Sequence, residues 1–411
     1  MIRIISETEA LTVLNRPEDR MDEALKIVAP IVNDVRLRGD EALREFRQRF
    51  DLVACDEPLY VDAIGELDDE LQQAVLQASN NIQSFSESQL APSWTREFSE
   101  GRSLGQVIRP LDSVGVYVPA GRYPLISTLL MAVIPARVAG VRNIVVACPQ
   151  PSREILAVAK LLGVQQVLHA GGAQAIAAMA YGTESVNRVQ RIVGPGNVYV
   201  AAAKKMVSQD VAIDFVAGPS EIVIIAAQGN ARWIAADMLA QAEHDIDARA
   251  MLLTTDKHLA LRVQAEIAIQ LSTLPTARVA ERAIVENSAI VVCQSTESAF
   301  ELANVIAPEH LSVEQMGDVA RVNNAGSIFV GRYSTEAAGD YASGPNHVLP
   351  TSGVAAVRGG LSVNDFVKVI TVQELSKTAL STLESSVTVL ARAEGLEAHA
   401  RSVEMRNDES A

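Results

Sequence analysis

The pattern of hydrophobic and polar positions changes character along the chain. Up to about residue 112, apolar residues recur at helical spacing and only 59–63 is extended in character, which predicts a mainly helical region. From residue 113, short apolar runs alternate with Ala-rich helical stretches, and Gly or Pro stands at their junctions. Alternation of this kind is typical of βαβ units and predicts parallel sheets covered by helices.

The strand-like runs form two groups, 113–118 to 189–194 and 217–226 to 326–331. Each group predicts a Rossmann-like parallel-sheet domain, although both domains are incomplete and lack a GxGxxG dinucleotide-binding fingerprint. A last extended run at 365–372, followed by two helical stretches, predicts a small C-terminal tail domain. The predicted class is therefore α/β.

The predicted domains are discontinuous in sequence. The first 112 residues contain too few strands to form a sheet alone, so we expect most of them to pack with the second strand group. The predicted parts are a helical arm at 1–20, a first α/β domain from 21–112 and 221–361, an inserted α/β domain at 113–220, and a tail at 362–411.

Composition excludes several classes of partner. The net charge of −15, from 35 basic and 50 acidic residues, would repel nucleic acid and anionic membranes. The N-terminus has no apolar signal segment, and the most apolar run, 129–136, is far shorter than the roughly 18 residues of a membrane span. We therefore expect a cytoplasmic protein without nucleic-acid or membrane partners. The three cysteines are too widely spaced to suggest a disulfide framework.

The run 230–244 has the pattern of an amphipathic helix with Asn230 as its N-cap. Gln241 and His244 would then share one face of its last turn. A neutral imidazole beside a carboxamide oxygen is half of a four-coordinate zinc site. The alternative is that the helix dipole alone favours a histidine there.

The loops after the first group of strands offer a nucleotide site. In parallel sheets ligands bind beyond the carboxyl ends of the strands. The loops at 117–121, 171–174 and 194–197 are rich in Gly, and their polar residues Tyr117, Gln174 and Asn197 suit a ribose or phosphate. Tight turns are the alternative interpretation.

Two further segments carry acid–base residues. Glu309 and His310 are adjacent, so their side chains point in different directions and suit two separate proton transfers. Alternatively, Pro308 begins a helix there. The Gly-bounded segment 339–347 contains Asp340 and His347 and is either a turn cluster or a ligand-binding loop.

Several longer strings lie between about 113 and 406. They include GVYVPAG (115–121), GGAQAIAAMAYGT (171–183), VGPGNVYVAAAK (193–204), AQAEH (240–244), APEHL (307–311), AGDYASGPNHVLPT (338–351) and EGLEAHARSV (394–403). Together these strings resemble the histidinol dehydrogenase family.

The resemblance implies an NAD-dependent zinc enzyme that oxidises L-histidinol through L-histidinaldehyde to L-histidine with two NAD, as a homodimer. It implies that neutral His310 takes the hydroxyl proton and that Glu309 activates water. The implied zinc ligands are Gln241, His244, Asp340 and, from the partner subunit, His399. The implied substrate contacts are Ser220, Gln241, His244, His310, Asp340, Glu394 and His399, with His347 as a further candidate, and the implied NAD contacts are Tyr117, Gln174 and Asn197.

Two departures from the family pattern bear on the substrate. Arg122 and Tyr123 stand where many members are richer in glycine, beside the expected nucleotide loop, whereas Pro345 should be tolerated. The alternative function is therefore a sister NAD-dependent dehydrogenase of another small hydroxyl compound. A catalytically silent zinc-binding homologue would have lost a catalytic residue or ligand, and none is lost.

Overall fold

The computed structural model describes residues 1–13, 19–119 and 125–408, so the departures at Arg122 and Tyr123 lie outside the described residues. Among the described residues, no helix is both long and apolar enough to cross a membrane. The strands are β1 (Arg3–Ser6), β2 (Tyr60–Asp62), β3 (Trp94–Ser99), β4 (Arg102–Pro110), β5 (Ser113–Tyr117), β6 (Asn143–Ala147), β7 (Gln166–Leu168), β8 (Arg191–Val193), β9 (Ala212–Ile213), β10 (Glu221–Ile225), β11 (Arg249–Thr254), β12 (Ala289–Val292), β13 (His310–Val313), β14 (Ser327–Val330) and β15 (Val367–Leu375).

The α-helices of the described residues connect and cover these strands. They are α1 (Glu7–Val13), α2 (Asp19–Arg38), α3 (Asp40–Phe46), α4 (Asp69–Gln89), α5 (Ile126–Ala139), α6 (Arg153–Leu161), α7 (Gly172–Tyr181), α8 (Val198–Val207), α9 (Ala231–Ala242), α10 (Lys257–Leu271), α11 (Ala277–Glu286), α12 (Thr296–Ile306), α13 (Glu336–Tyr341), α14 (Lys377–Ala393) and α15 (Glu397–Asn407).

Two six-stranded sheets share one strand order. The first sheet runs β1-β12-β11-β10-β13-β14 and the second runs β2-β7-β6-β5-β8-β9. All strand pairs are parallel except the β2–β7 pair, which is antiparallel. In each sheet the order reverses beside a central strand, between β10 and β13 or between β5 and β8, which is where open α/β sheets bind ligands. The predicted α/β class is confirmed.

Apolar strands buried on both faces hold the sheets between helices. Every residue of β10 is buried. One face of the first sheet packs on α9, α10 and α11 through residues such as Met238 and Val263, and the other face packs on α12 through Phe300. Such near-continuous apolar strands are expected when helices cover both faces of a parallel sheet.

The N-terminal part of the chain differs from the prediction. Residues 21–62 were expected to pack with 221–361, but the buried residues of α2 and α3 form one core with the second sheet, and β2 is its edge strand. The expected helical arm at 1–20 begins with a strand, β1, which pairs with β12 of the first sheet. The extended piece predicted at 59–63 is confirmed as β2, but its sheet was not predicted, and β1 was missed because a strand of four residues has a weak sequence pattern.

A second compact unit comprises residues 90–111 and 367–411. It contains the antiparallel sheet β15-β4-β3 together with α14 and α15. The predicted tail at 362–411 therefore begins a few residues later, and it includes 90–111, which the prediction placed in the first domain. The physical reason is that β15 has no second strand within the tail and takes β4 as its partner over nine residue pairs.

Candidate active site

The segment before β13 carries the adjacent Glu309 and His310. Helix α12 ends at Ile306, and Ala307 adopts a left-handed conformation with φ of +49°, so the chain turns sharply into the strand that His310 opens. The alternative of a helix beginning at Pro308 is therefore wrong. Both side chains are buried at the amino end of β13, with 5% of Glu309 and 3% of His310 exposed.

Glu221, the first residue of the neighbouring strand β10, holds both side chains through its backbone. Its N–H donates to Glu309 Oε2 at 2.9 Å, and its carbonyl accepts from His310 Nδ1 at 3.3 Å. Because Nδ1 then carries the proton, Nε2 is left with a lone pair in the neutral imidazole. The sequence analysis missed Glu221; an acidic residue opening an otherwise apolar strand was the available signal.

Asp340 faces this free nitrogen. It lies in the short helix α13 rather than in the predicted loop, and its Oδ1 is 3.4 Å from His310 Nε2. His347, from the segment after the helix, donates its Nδ1–H to the Asp340 carbonyl at 2.7 Å. The structure therefore brings together four of the predicted residues, Glu309, His310, Asp340 and His347.

Electrostatic interactions shift the pKa of each group. Burial raises the pKa of the Glu309 carboxyl. Burial opposes the charged form of His310, but Glu309 and Asp340 outweigh it and raise the pKa of the imidazole. Burial would raise the pKa of Asp340, but His310, His347 and His244 lower it below its usual value. The surrounding carboxylates therefore favour the protonated ring in the ligand-free site, and the neutral His310 of the working enzyme stays a prediction.

Gln241 and His244 follow the predicted helix only in part. Asn230 caps α9 by accepting from the Arg232 N–H at 3.0 Å, which confirms the predicted cap. The helix ends at Ala242, however, so His244 lies in the following turn and is exposed. Gln241 is fully buried, and neither its amide oxygen nor its nitrogen has a hydrogen-bond partner. Such a pair of orphaned polar atoms indicates a side chain arranged for a ligand.

The remaining predicted substrate and zinc contacts are Ser220, Glu394 and His399. Ser220 is half-buried directly before Glu221, and its carbonyl accepts from the Arg249 N–H. Glu394 follows the end of α14, and His399 lies in α15; both are exposed and belong to the second unit. Within the part of the chain that the structure describes, no three His, Cys, Asp or Glu side chains are close enough to form a metal site.

The three predicted NAD contacts lie at the carboxyl edge of the second sheet: Tyr117 is the last residue of β5, Gln174 follows β7 and Asn197 follows β8. Two are buried and already have partners: the Tyr117 hydroxyl accepts from the Gly172 N–H at 3.1 Å, and Gln174 Nε2 donates to Asp51 Oδ2 at 3.3 Å. Asn197 is exposed and caps α8 by accepting from two backbone N–H groups. Asp51 was missed because it lies in the N-terminal region, far away in sequence.

A buried ion pair fixes the glycine loop after β8. Lys204 pairs with Asp214, and each also binds Gly194: Lys204 Nζ donates to its carbonyl at 2.9 Å, and Asp214 Oδ2 accepts from its N–H at 2.8 Å. Gly194 has φ of +116°, and a Cβ atom there would lie 2.1 Å from the Tyr117 carbonyl oxygen. Only glycine therefore allows this close approach of the two loops at the point where the strand order reverses.

Comparisons with known proteins agree with this architecture. The sequence profile of the family described as histidinol dehydrogenase matches residues 14–407. Histidinol dehydrogenase from Streptococcus mutans is 46% identical over 396 residues, covering 93% of this chain and 92% of the relative. The enzyme of that name from Thermus thermophilus is 47% identical over 389 residues, covering 93% and 94%. The crystal structure of histidinol dehydrogenase from Elizabethkingia anophelis matches with a TM-score of 0.90 and 35% identity, covering 98% of both chains.

The two parallel sheets define an α/β fold, and the comparisons place the protein among the oxidoreductases. More closely, the chain belongs to the histidinol dehydrogenase family, and the predicted resemblance is confirmed.

Proposed function

We propose that the protein oxidises L-histidinol through L-histidinaldehyde to L-histidine, the end of histidine biosynthesis. The reaction uses two NAD per histidinol, and each subunit binds one zinc ion. The observation that carries the proposal is His310, whose Nδ1 is held by a backbone carbonyl while Nε2 faces Asp340 without a hydrogen bond. A base held in one tautomer beside an acidic group suits proton abstraction from an alcohol.

The two buried side chains serve different halves of the reaction. His310 Nε2 accepts the hydroxyl proton as the alcohol is oxidised, and the Nδ1–H hydrogen bond to Glu221 keeps the ring oriented. Glu309 accepts a proton from the water that hydrates the aldehyde. The raised pKa of Glu309 suits a base that must also release its proton near neutral pH. NAD, when bound, supplies the hydride acceptor.

The residues present fit a zinc ion. Gln241, His244 and Asp340 offer oxygen and nitrogen ligands, and the buried Gln241 amide lacks any other partner. With His399 of a second subunit they would complete a four-ligand set, and zinc would supply a template that orients the substrate. A dication held by Asp340 would also weaken the field that favours imidazolium at His310, so the neutral base would become accessible.

NAD binding is proposed at the carboxyl edge of the second sheet. Asn197 is the exposed member of the three candidates, and it caps a helix whose N-terminus lies beside the close approach of Tyr117 and Gly194. A helix N-terminus beside a glycine loop favours the negative charge of a pyrophosphate. Tyr117 and Gln174 act there mainly by holding the loops, because their polar groups have internal partners.

The test of the function is NADH formation by the purified protein with L-histidinol, before and after chelation and after zinc is returned. We expect two NADH per histidinol, loss on chelation and recovery with zinc. Turnover of another small hydroxyl compound but not of histidinol would instead support the sister dehydrogenase.

A homodimer with shared sites is part of the proposal. In the second unit, β3 is exposed along its whole length and β15 along nearly all of it, and both carry apolar residues such as Phe98 and Ile370. Exposed apolar residues on an open sheet of this kind favour packing against a second copy of the chain, and that copy would also supply its His399. Mixing inactive His310→Asn and His399→Asn subunits should restore part of the activity, because one site of each mixed dimer is intact. No recovery in dimers shown to exchange subunits would contradict shared sites.

A further inference from the structure

Buried polar atoms without partners are concentrated at the candidate active site. Among the described residues, the side chains with such atoms are three arginines, through Nε only, and Gln241, His310 and Glu336. The family resemblance assigns roles to Gln241 and His310 but none to Glu336. Because folded proteins leave few buried polar groups unpaired, both carboxyl oxygens of Glu336 require an explanation.

Glu336 lies beside the acid–base group. It is the first residue of α13 and precedes Asp340 by four residues, so both side chains project from one face of the helix. Its carboxyl is in the electrostatic field of His310, Asp340, Asp237 and Glu309, and only 3% of the residue is exposed. Helix α13 also packs against α9, on which Asp237 precedes Gln241 by one turn.

A helix-dipole role does not account for this carboxyl. An acidic residue in the first turn of a helix is favourable at the surface, as Glu297 of α12 shows by remaining exposed and pairing with Arg321 at 3.0 Å. Glu336 is instead withdrawn from water without a donor, and α13 is only six residues long. Burying a carboxylate in this way is costly, and the cost is avoided only if the group takes up a proton or if a ligand supplies hydrogen-bond donors or positive charge.

The charges at the site indicate which ligand group would stabilise the buried carboxylate of Glu336. Glu336 interacts with three further acids, Glu309, Asp340 and Asp237, whereas the imidazoles at the site are those of His310, His347 and His244, so acids outnumber the groups that could carry positive charge. The substrate of the proposed function carries an amino group. We propose that Glu336 is a substrate-binding residue whose carboxyl oxygens accept hydrogen bonds from the amino group of the bound amino alcohol. This inference rests on the proposed function and would make Glu336 a determinant of specificity for amino alcohols over simple alcohols.

The test compares two ligands by calorimetric titration of the zinc-loaded protein without NAD. The ligands are L-histidinol and its deamino analogue, an imidazolyl propanol. Glu336→Gln should weaken histidinol binding by about 10- to 100-fold, the range for loss of a charge-assisted hydrogen bond, and leave the analogue and the bound zinc unchanged. Glu297→Gln, an exposed glutamate in the first turn of α12, is the matched control and should change neither affinity.

Equal weakening of both ligands, unchanged histidinol affinity, or loss of zinc from Glu336→Gln would each overturn the inference. If that variant fails to fold, Glu336→Asp retains the charge on a shorter side chain and should weaken histidinol selectively. The proposed function is judged separately by NADH formation in the wild-type protein. Normal turnover by the wild type, together with an unchanged ratio of histidinol to analogue affinity in Glu336→Gln, would refute only the role of Glu336. If histidinol did not bind to the wild type, both the role of Glu336 and the proposed function would be refuted.

Discussion

The two six-stranded sheets have the same strand order, but their candidate functional residues lie at opposite ends of the strands. In the second sheet, the candidate NAD residues follow the carboxyl ends of β5, β7 and β8, as expected for open α/β sheets. In the first sheet, His310 and Glu221 are the first residues of adjacent strands, so the acid–base group lies at the amino edge. Strand order alone therefore does not determine which edge of a sheet carries chemistry.

The two edges also treat buried charge differently. At the second sheet, the carboxylate of Asp214 is paired with Lys204 and accepts two backbone hydrogen bonds. At the first sheet, Glu336 has no hydrogen-bond partner, and burial raises the pKa of Asp237 to about 6. In the second sheet an ion pair anchors the loop at Gly194, whereas in the first sheet Glu336 is buried without a hydrogen-bond partner. The following predictions test this difference.

The largest effect should come from His310 at the amino edge. His310→Asn should reduce histidinol oxidation by on the order of 10²- to 10⁴-fold, because the base that accepts the hydroxyl proton is lost. Steady-state NADH formation measures the loss. His258→Asn is the control, since His258 is exposed just beyond the carboxyl end of β11 in the same sheet. A large loss in the control and none in His310→Asn would place the catalytic group at the carboxyl ends of the strands instead of the amino ends.

The paired charge of the second sheet should matter next. Lys204→Met should lower the free energy of unfolding by about 3–5 kcal/mol, because Asp214 would remain buried without its counter-charge. Urea unfolding measures the change, and Lys205→Met, one residue further along α8, is the control. If the variant folds, its KM for NAD should rise more than its kcat falls, since the loop at Gly194 loses its anchor. Unchanged stability would show that the pair does not fix the loop.

Glu309 should separate the two halves of the reaction. Glu309→Gln should slow oxidation of the aldehyde at least about tenfold more than oxidation of the alcohol, because only the aldehyde half needs an activated water. Single-turnover NADH formation from L-histidinol and from L-histidinaldehyde provides the comparison. Equal losses in both halves would mean that Glu309 acts only by positioning His310.

The smallest effect concerns the unpaired acid Asp237. Its folded pKa of about 6 lies above the usual 3.8, so the folded state binds the proton more tightly, and stability is lost as the pH rises through 6. In metal-free protein, Asp237→Asn should therefore raise the free energy of unfolding near pH 8 by on the order of 1 kcal/mol, allowing for partial exposure. The gain should shrink near pH 5, and the exposed Asp22→Asn should show none. A gain independent of pH would contradict this explanation.

The sequence predicted the two sheets and most of the residues at both edges, because long apolar strands alternate with helices there and the family strings coincide with the loops. It did not place β1, β2 or residues 90–111, which join sheets by backbone pairing across long stretches of sequence. It missed Glu221, whose contacts to Glu309 and His310 are made by its peptide groups, and Glu336, whose burial depends on helix packing. The roles of Glu394 and His399 stay predictions.

Glu221 binds Glu309 and His310 through its backbone, and this affects what mutational scanning can detect. Its N–H and carbonyl position Glu309 and His310, whereas its buried side chain accepts from the Ser352 N–H at 3.0 Å. A scan that replaces side chains would therefore test the contact to Ser352 and not the two peptide groups, and proline, which lacks the N–H, would be the informative substitution. An ester in place of the amide at that peptide bond would remove the same donor with almost no change in shape, and it would report the contribution of the backbone to catalysis directly.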